Sequence, residues 1–416
     1  MPAKPKAPTG LLFIFVTLLL DVIGIGLIIP ILPQLVLSLS ADPAAGAFYY
    51  GALFSTYTLM QFFCAPGLGA LSDQVGRKPI LLVSLVGSAV SYLMMAFSPS
   101  LIWLFVGRAL AGIAGASLTV ASAYIADVST AENRAQNYGL LGAAFGLGFI
   151  FGPAIGGLLG NIDMRLPFYA AAAVSILNAA YGFFAVPESH RLENRRPFTL
   201  KKANPFSWIA LLKRYPVVMG LAVTLLLTHL AQNSLHSVWV LFTEYRFQWN
   251  PGQNGLALAF VGVAAALVQG GLIRVIVPKL GERRSVLWGI GISALAFVFY
   301  GLATQGWMLY AIIAFGSLGG IAGPALQGMI ASQVSPDEQG AVQGALASLM
   351  SATGIVAPLL ASGLFAHFTA PSAPIIMPGI AFFVGAALLL AGLANTIWQF
   401  RRHPAAAQPA PPVLQR

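Results

Sequence analysis

Hydrophobic positions fall in long unbroken runs, with no strict alternation. Apolar stretches cover approximately 10–38, 47–71, 79–97, 101–126, 136–160 and 165–186, and a polar segment follows from Pro187 to Tyr215. Six more stretches lie at about 216–242, 252–277, 285–303, 306–333, 341–367 and 373–400. A helix that crosses a bilayer needs about 20 apolar residues, and these runs supply that length. The pattern predicts an all-α membrane protein of twelve spans. It divides into an N-terminal six-helix bundle (1–186), a basic loop (187–215), a C-terminal six-helix bundle (216–400) and a tail (401–416) too polar and Pro-rich to pack. The basic opening runs into the first stretch through Asp21 and Pro30 with no small-residue cleavage site, so that stretch reads as a span and not as a leader.

Composition narrows the class. Of 416 residues, 58% are hydrophobic and 8% charged, against about 25% charged in soluble proteins. So few charges cannot clothe a water-facing surface, which excludes a soluble enzyme of this length. The formal charge of +10 raises a nucleic-acid partner as an alternative, and the distribution of the cations decides. With the N-terminus inside, the outside loops hold only Arg165 and Arg246, while Arg108 and Arg274 fall within helices. The other eighteen of the 22 Lys and Arg residues are inside. Such a bias is an orientation signal, so both termini are expected in the cytoplasm of an inner-membrane protein, with no nucleic acid involved. The single cysteine, Cys64, forms no internal disulfide and belongs to no metal or redox motif.

The two halves repeat. Val128-Ser129, with Glu132 and Ala135, recurs as Val334-Ser335, with Glu338 and Ala341, 206 residues on. Gly152-Pro153 is echoed by Ala357-Pro358, and Gly76 by Gly281, each at an offset of 205. Gly-Ile-Ala-Gly occurs at 112–115 and 320–323. Four matches at nearly one offset indicate a duplicated six-helix unit. Paired repeats joined by a loop are the build of secondary transporters, with a site between the halves.

Between spans 2 and 3 the chain reads Gly69-Ala70-Leu71-Ser72-Asp73-Gln74-Val75-Gly76-Arg77-Lys78-Pro79. A glycine such as Gly69 permits close helix approach, Gly76 provides a turn that a Cβ would obstruct, and Asp73 can accept at a helix start or pair with a cation. Arg77 and Lys78 suit an anionic membrane surface. This segment resembles the G-x-x-x-D-x-x-G-[RK]-[RK]-P signature of the major facilitator superfamily. Span 5 contains Gly148-Phe149-Ile150-Phe151-Gly152-Pro153-Ala154-Ile155-Gly156-Gly157, which resembles the G-x-x-x-G-P-x-x-G-G element of that superfamily's antiporters. Segments 21–33, 107–113, 123–127, 246–249, 281–284, 303–307 and 323–327 are similar to the tetracycline-efflux family in its order. The resemblance implies two pseudo-symmetric six-helix bundles around a central cavity and exchange of a drug for protons. It departs from that family at two slots: flanking residues place Ser91 and Ser293 where the family carries intramembrane aspartates.

Few polar residues lie within the spans. Asp21 sits about 11 residues into span 1, roughly 16 Å deep at 1.5 Å per residue, where a carboxyl is costly and by default functional. The bland alternative is a carboxylate capping a helix broken at Gly24 and Gly26. Arg108 in span 4 is its natural counter-charge, and its position resembles the arginine that superfamily antiporters use in proton coupling. Span 7 carries His229, Gln232, Asn233 and His236 at i, i+3, i+4, i+7, one helix face, which suits ligand contact or interhelical hydrogen bonding equally. A metal pair there is disfavoured, since the two histidines are two turns apart and no Cys or carboxylate joins them. Tyr57 and Gln61 on span 2 and Gln327 on span 10 complete the candidate contacts. Asp127, Glu132 and Arg134 lie between spans 4 and 5, and the resemblance implies a cytoplasmic latch between Asp127 and Arg77, with Gly69, Asp73, Gly76, Lys78 and Arg134 in the same gate. No Walker loop, dinucleotide fingerprint or catalytic triad is legible. The expected function is proton-coupled export of a small lipophilic or amphiphilic compound by alternating access, driven by the proton gradient without a cofactor. Its partners are lipid, cargo and protons, and it works as a monomer. The alternatives are a facilitator or symporter of a small metabolite and a non-transporting receptor or assembly factor on the same fold.

Overall fold

The computed structural model describes residues 7–115, 117–130, 133–190, 192–195, 214–335 and 338–403. Most of the central basic segment, Glu132 and the tail from 404 lie outside the described residues, as does the side chain of Arg134. Among the described residues no strand occurs. The helices of the first half are α1 (Ala7–Ile28), α2 (Leu32–Ser38), α3 (Pro43–Val75), α4 (Arg77–Ala96), α5 (Leu101–Ala114), α6 (Ser117–Val128), α7 (Arg134–Ile162) and α8 (Leu166–Ala185). Those of the second are α9 (Pro216–Phe247), α10 (Pro251–Leu267), α11 (Ile273–Leu280), α12 (Glu282–Leu302), α13 (Gly306–Ser317), α14 (Ala322–Ser332), α15 (Gln339–Thr369) and α16 (Ile380–Arg402). Among the described residues eleven helical segments are long and apolar enough to cross a membrane, which makes this a multi-pass integral membrane protein. The long helix outside that set is α3. Its 33 residues suffice in length, but Ser55, Thr56, Tyr57, Thr58 and Gln61 dilute its apolar run, in the stretch where the candidate contacts cluster.

Four spans are broken, and the sequence accounts for each break. Pro30 lies in the turn between α1 and α2 and Pro33 in the first turn of α2, since proline supplies no N–H to the ladder. Glycines mark the other three: Gly115 between α5 and α6, a π-helical turn over Val268–Leu272 (VQGGL) and a 3-10 turn over Leu318–Ile321 (LGGI). The repeated Gly-Ile-Ala-Gly falls on a break in both halves, at 112–115 and at 320–323. Gly76 and Gly281, also related by the repeat, both open a helix at positive φ (113° and 76°) with ψ near 160° (159° and 156°). Only glycine adopts that backbone cheaply.

The chain divides into two compact units, Met1–Pro205 with Thr243–Val263, and Phe206–Phe242 with Ala264–Arg416. In the first, Ile14 and Leu18 of α1, Ile80, Leu81 and Leu85 of α4, Val120, Ala121, Tyr124 and Ile125 of α6 and Ala144 of α7 form one buried cluster. Asp42 caps α3 by accepting from the Ala45 N–H at 2.9 Å, with Pro43 in the first turn where its missing N–H costs nothing. In the second, Phe242, Tyr300 and Phe382 stack edge to face or tilted around Trp239 and Phe297.

Candidate functional site

Two clusters in the first unit gather the candidate coupling and gate residues, with Tyr57 and Gln61 of the candidate contacts. The inner one is built where α5 gives way to α6. Gly115 ends α5 in a turn, and Gln61 Nε2 donates to its carbonyl at 2.9 Å while lying 3.4 Å from the Tyr57 hydroxyl. Ser117 begins α6, and its hydroxyl donates to Asp21 Oδ2 at 2.5 Å. Asp21 is 8% exposed and Arg108 7%. The expected Asp21–Arg108 ion pair does not form: among the described residues Asp21 takes the Ser117 hydroxyl, and the Arg108 guanidinium lies 4.6 Å over the Tyr57 ring. Ser117 does not stand out in the sequence. A serine in a span is unremarkable until the fold sets it against Asp21.

The second cluster is the α3–α4 turn. Arg77 Nη1 pairs with Asp73 Oδ1 at 2.6 Å and donates to Ser72 Oγ at 2.6 Å, while its Nε meets Asp127 Oδ2 at 3.0 Å. The implied Arg77–Asp127 contact is therefore present, with the Arg77 side chain 8% and the Asp127 side chain 21% exposed. Ser189 donates to the same Asp127 oxygen at 3.2 Å, and His190 Nδ1 lies 3.5 Å from it. Lys78 donates to the Phe183 carbonyl at 2.7 Å, a cation at the C-terminal turn of α8, where the dipole favours it. Glu188 carries no signal in the sequence. Its carboxylate accepts from the backbone N–H of Arg77 at 2.9 Å and of Lys78 at 3.2 Å, a negative cap on the N-terminus of α4 supplied from 111 residues away. A Cβ at Gly76 would collide with that carboxylate. At Gly69 a Cβ would meet the Thr119 methyl at 3.5 Å, ordinary contact, so close helix approach does not require glycine there.

The α7 glycines pack on α1 one turn beyond Asp21. A Cβ at Gly148 would lie 2.5 Å from Val22 Cγ1 and one at Gly152 2.8 Å from Gly26 Cα, and one at Gly156 would strike the Leu27 carbonyl. Gly157 faces Pro251 and Gly255 instead, and Pro153 lies within α7 against Gly26 and Gly255. In the second unit Asn233 donates to Thr353 of α15 at 2.9 Å, an interhelical bond. His229 and Gln232 are half-buried, and His236 and Gln327 are exposed. Ser91 is fully buried and donates to the Ser88 carbonyl of its own helix at 2.7 Å, and Ser293 packs on the 3-10 turn at Gly319. Neither slot carries a charge.

Spans broken at glycines, a buried intramembrane acid and a basic turn locked by acids from other helices define a polytopic membrane transporter. The Major Facilitator Superfamily model matches residues 14–280 and 237–414. The chain is 41% identical over 385 residues to the class C tetracycline resistance protein of Escherichia coli, across 92% of this chain and 96% of that protein. The crystal structure of the human organic anion transporter MFSD10 (TETRAN) has a TM-score of 0.70 at 25% identity, covering 94% of this chain and 100% of that one. The nucleoside transporter NupG, at 13% identity, has a TM-score of 0.77 over 94% and 99% of the two chains and shows the fold alone. The chain belongs to the Major Facilitator Superfamily, among the tetracycline resistance proteins.

Proposed function

We propose that the protein exports a small lipophilic or amphiphilic compound in exchange for protons, with Asp21 as the proton carrier. The observation that carries this reading is the position of Asp21, buried and held by the hydroxyl of Ser117 at the head of α6. The other end of that helix holds Asp127 against Arg77. α6 has 12 residues, about 18 Å at 1.5 Å per residue, so proton site and latch occupy the two ends of one rigid element. An ionised Asp21 lies at the α6 N-terminus, where the helix dipole and the Ser117 hydroxyl favour a negative charge. Protonation removes that charge and weakens the hold on α6, which biases the Arg77–Asp127 latch.

The name of the class C relative makes tetracycline the first cargo to test, although the uncharged Ser91 and Ser293 admit other compounds. The reading places the protein in the inner membrane with both termini cytoplasmic, working as a monomer in lipid. It is a transporter and not an enzyme, and the gradient supplies its energy without a bound cofactor.

Accumulation in cells tests this. Cells expressing the protein should retain less tetracycline, or less of at least one dye from a cationic, anionic and zwitterionic panel, than cells carrying Asp21→Asn. A protonophore should raise retention to the variant's level. Exclusion that survives the protonophore contradicts proton coupling, and exclusion of no compound contradicts export.

A further inference from the structure

In the second unit the turn between α11 and α12 and the end of α16 gather cations that no acid meets. Lys279, Arg283 and Arg284 flank Gly281, and Arg401 and Arg402 close α16. The two helix ends touch, since the Arg283 guanidinium lies 4.8 Å over the Phe400 ring. Among the described residues no ion pair and no side-chain hydrogen bond includes any of these cations. The described acids of this unit are Glu282, set against Gly328 of α14, and Glu338, 3.9 Å from Arg214. The related turn of the first half is built differently. There Arg77 is held by Asp73 and Asp127, and the Glu188 carboxylate lies against Gly76. At Gly281 nothing lies within 4 Å of where a Cβ would stand, so the turn is open.

Two of the guanidiniums are held flat on rings, Arg283 on the buried Phe400 and Arg402 on Trp398 at 5.0 Å. Stacking occupies the face of a guanidinium and leaves its edge free, and that fork of N–H groups matches phosphate oxygens. Depth identifies the kind of phosphate. Trp398 is 52% exposed, and Trp288, one turn along α12 from Arg284, is 63% exposed. Exposed tryptophans on spanning helices settle at the headgroup level of a bilayer. The cations therefore stand at the depth of lipid phosphates, with apolar surface for acyl chains beside them. We propose that this corner binds an acidic phospholipid with two phosphates, one at Arg283 and Arg284 and the other at Arg401 and Arg402. Lys279 adds to the attraction from the end of α11. Such a lipid ties the start of α12 to the end of α16. A lipid with one phosphate fills half of the site, and a zwitterionic one brings a further cation to it.

Purified protein in detergent, titrated with cardiolipin, phosphatidylglycerol or phosphatidylcholine and read by native mass spectrometry, tests the assignment. Wild type should bind cardiolipin about tenfold or more tightly than phosphatidylcholine, and more tightly than phosphatidylglycerol at equal phosphate. Arg284→Gln and Arg401→Gln, both at exposed positions, should each weaken cardiolipin about fivefold, the weight of one cation at an anionic surface. Together they should weaken it about twentyfold and leave phosphatidylcholine unchanged. Arg246→Gln, at an exposed cation of the first unit, should change nothing. Arg284→Lys with Arg401→Lys keeps the charges and should hold cardiolipin within about threefold of wild type, which certifies the fold at both positions. Cardiolipin should also raise the melting temperature of wild type more than that of the doubly neutralised protein. Undiminished cardiolipin binding in that protein overturns the proposal, as does an equal loss with Arg246→Gln. Equal binding of cardiolipin and phosphatidylglycerol at equal phosphate overturns it too. Inorganic phosphate that raises the melting temperature as far as cardiolipin does would replace the lipid with a soluble anion.

Discussion

At the scale of single residues, Gly76 and Gly281 make a natural experiment. Both hold a backbone that only glycine adopts cheaply, at a cost of about 1–3 kcal/mol for another residue. At Gly281 nothing lies within 4 Å of where a methyl would stand, whereas at Gly76 the methyl meets the Glu188 carboxylate that caps α4. Gly76→Ala should therefore lower the melting temperature in detergent more than Gly281→Ala does, and Glu188→Gln should recover little of the difference because the amide still fills the space. Equal shifts would mean that Glu188 is not a cap. The Arg77–Asp127 pair makes a second case. Asp127→Arg should destabilise the turn by placing two cations together, and adding Arg77→Asp should restore dye exclusion by cells to at least half of wild type. The Arg77–Asp127 contact was legible in the sequence only through the family resemblance, since the signature at 69–79 contains Arg77 and not Asp127. Glu188 was not, because a carboxylate just past a span reads as loop until the fold brings it to a helix start 111 residues away.

Among the helices, the α1–α7 seam is packed backbone to backbone at its glycines. Gly152 on α7 leaves no room for a side chain against Gly26 of α1, while Gly142 on the same helix has nothing within 4 Å. Gly152→Val should lower stability by about 1–3 kcal/mol through overpacking, and Gly142→Ala should leave it unchanged or slightly raised. Thermal unfolding followed in detergent distinguishes them, and a neutral Gly152→Val would show that α1 and α7 are not packed backbone to backbone. Span positions were readable from hydrophobic runs alone. The interior breaks were not, because Gly115, Gly270 and Gly319 look like ordinary small residues in a membrane helix until the ladder is seen to change there. The glycine repeat at 112–115 and 320–323 was the one available clue, and its role as a break is structural. The same blindness hid Ser117, which matters only because α6 starts with it, and misjudged the pairing of Asp21, which takes that hydroxyl in place of Arg108.

For the whole molecule, the cation distribution predicts orientation. With both termini cytoplasmic, a fluorescent protein fused after Arg416 should mature and alkaline phosphatase fused there should stay inactive, with the reverse for a fusion in the loop containing Arg165. The opposite pattern would invert the topology and put the Arg77–Asp127 latch on the outer face. Low charge announced the class, and in the proposed mechanism the few charges within the spans do the coupling, with Asp21 linking a proton to α6 and α6 to the turn at Arg77. The central claim is proton-coupled exchange through Asp21. The most direct measurement uses proteoliposomes with a pH-sensitive dye trapped inside, given a pulse of a compound that the cells exclude. Wild-type vesicles should turn alkaline inside as cargo enters and protons leave, and Asp21→Asn vesicles should not. Cargo uptake by wild type with no change in lumenal pH, or an undiminished pH change with Asp21→Asn, would contradict the account.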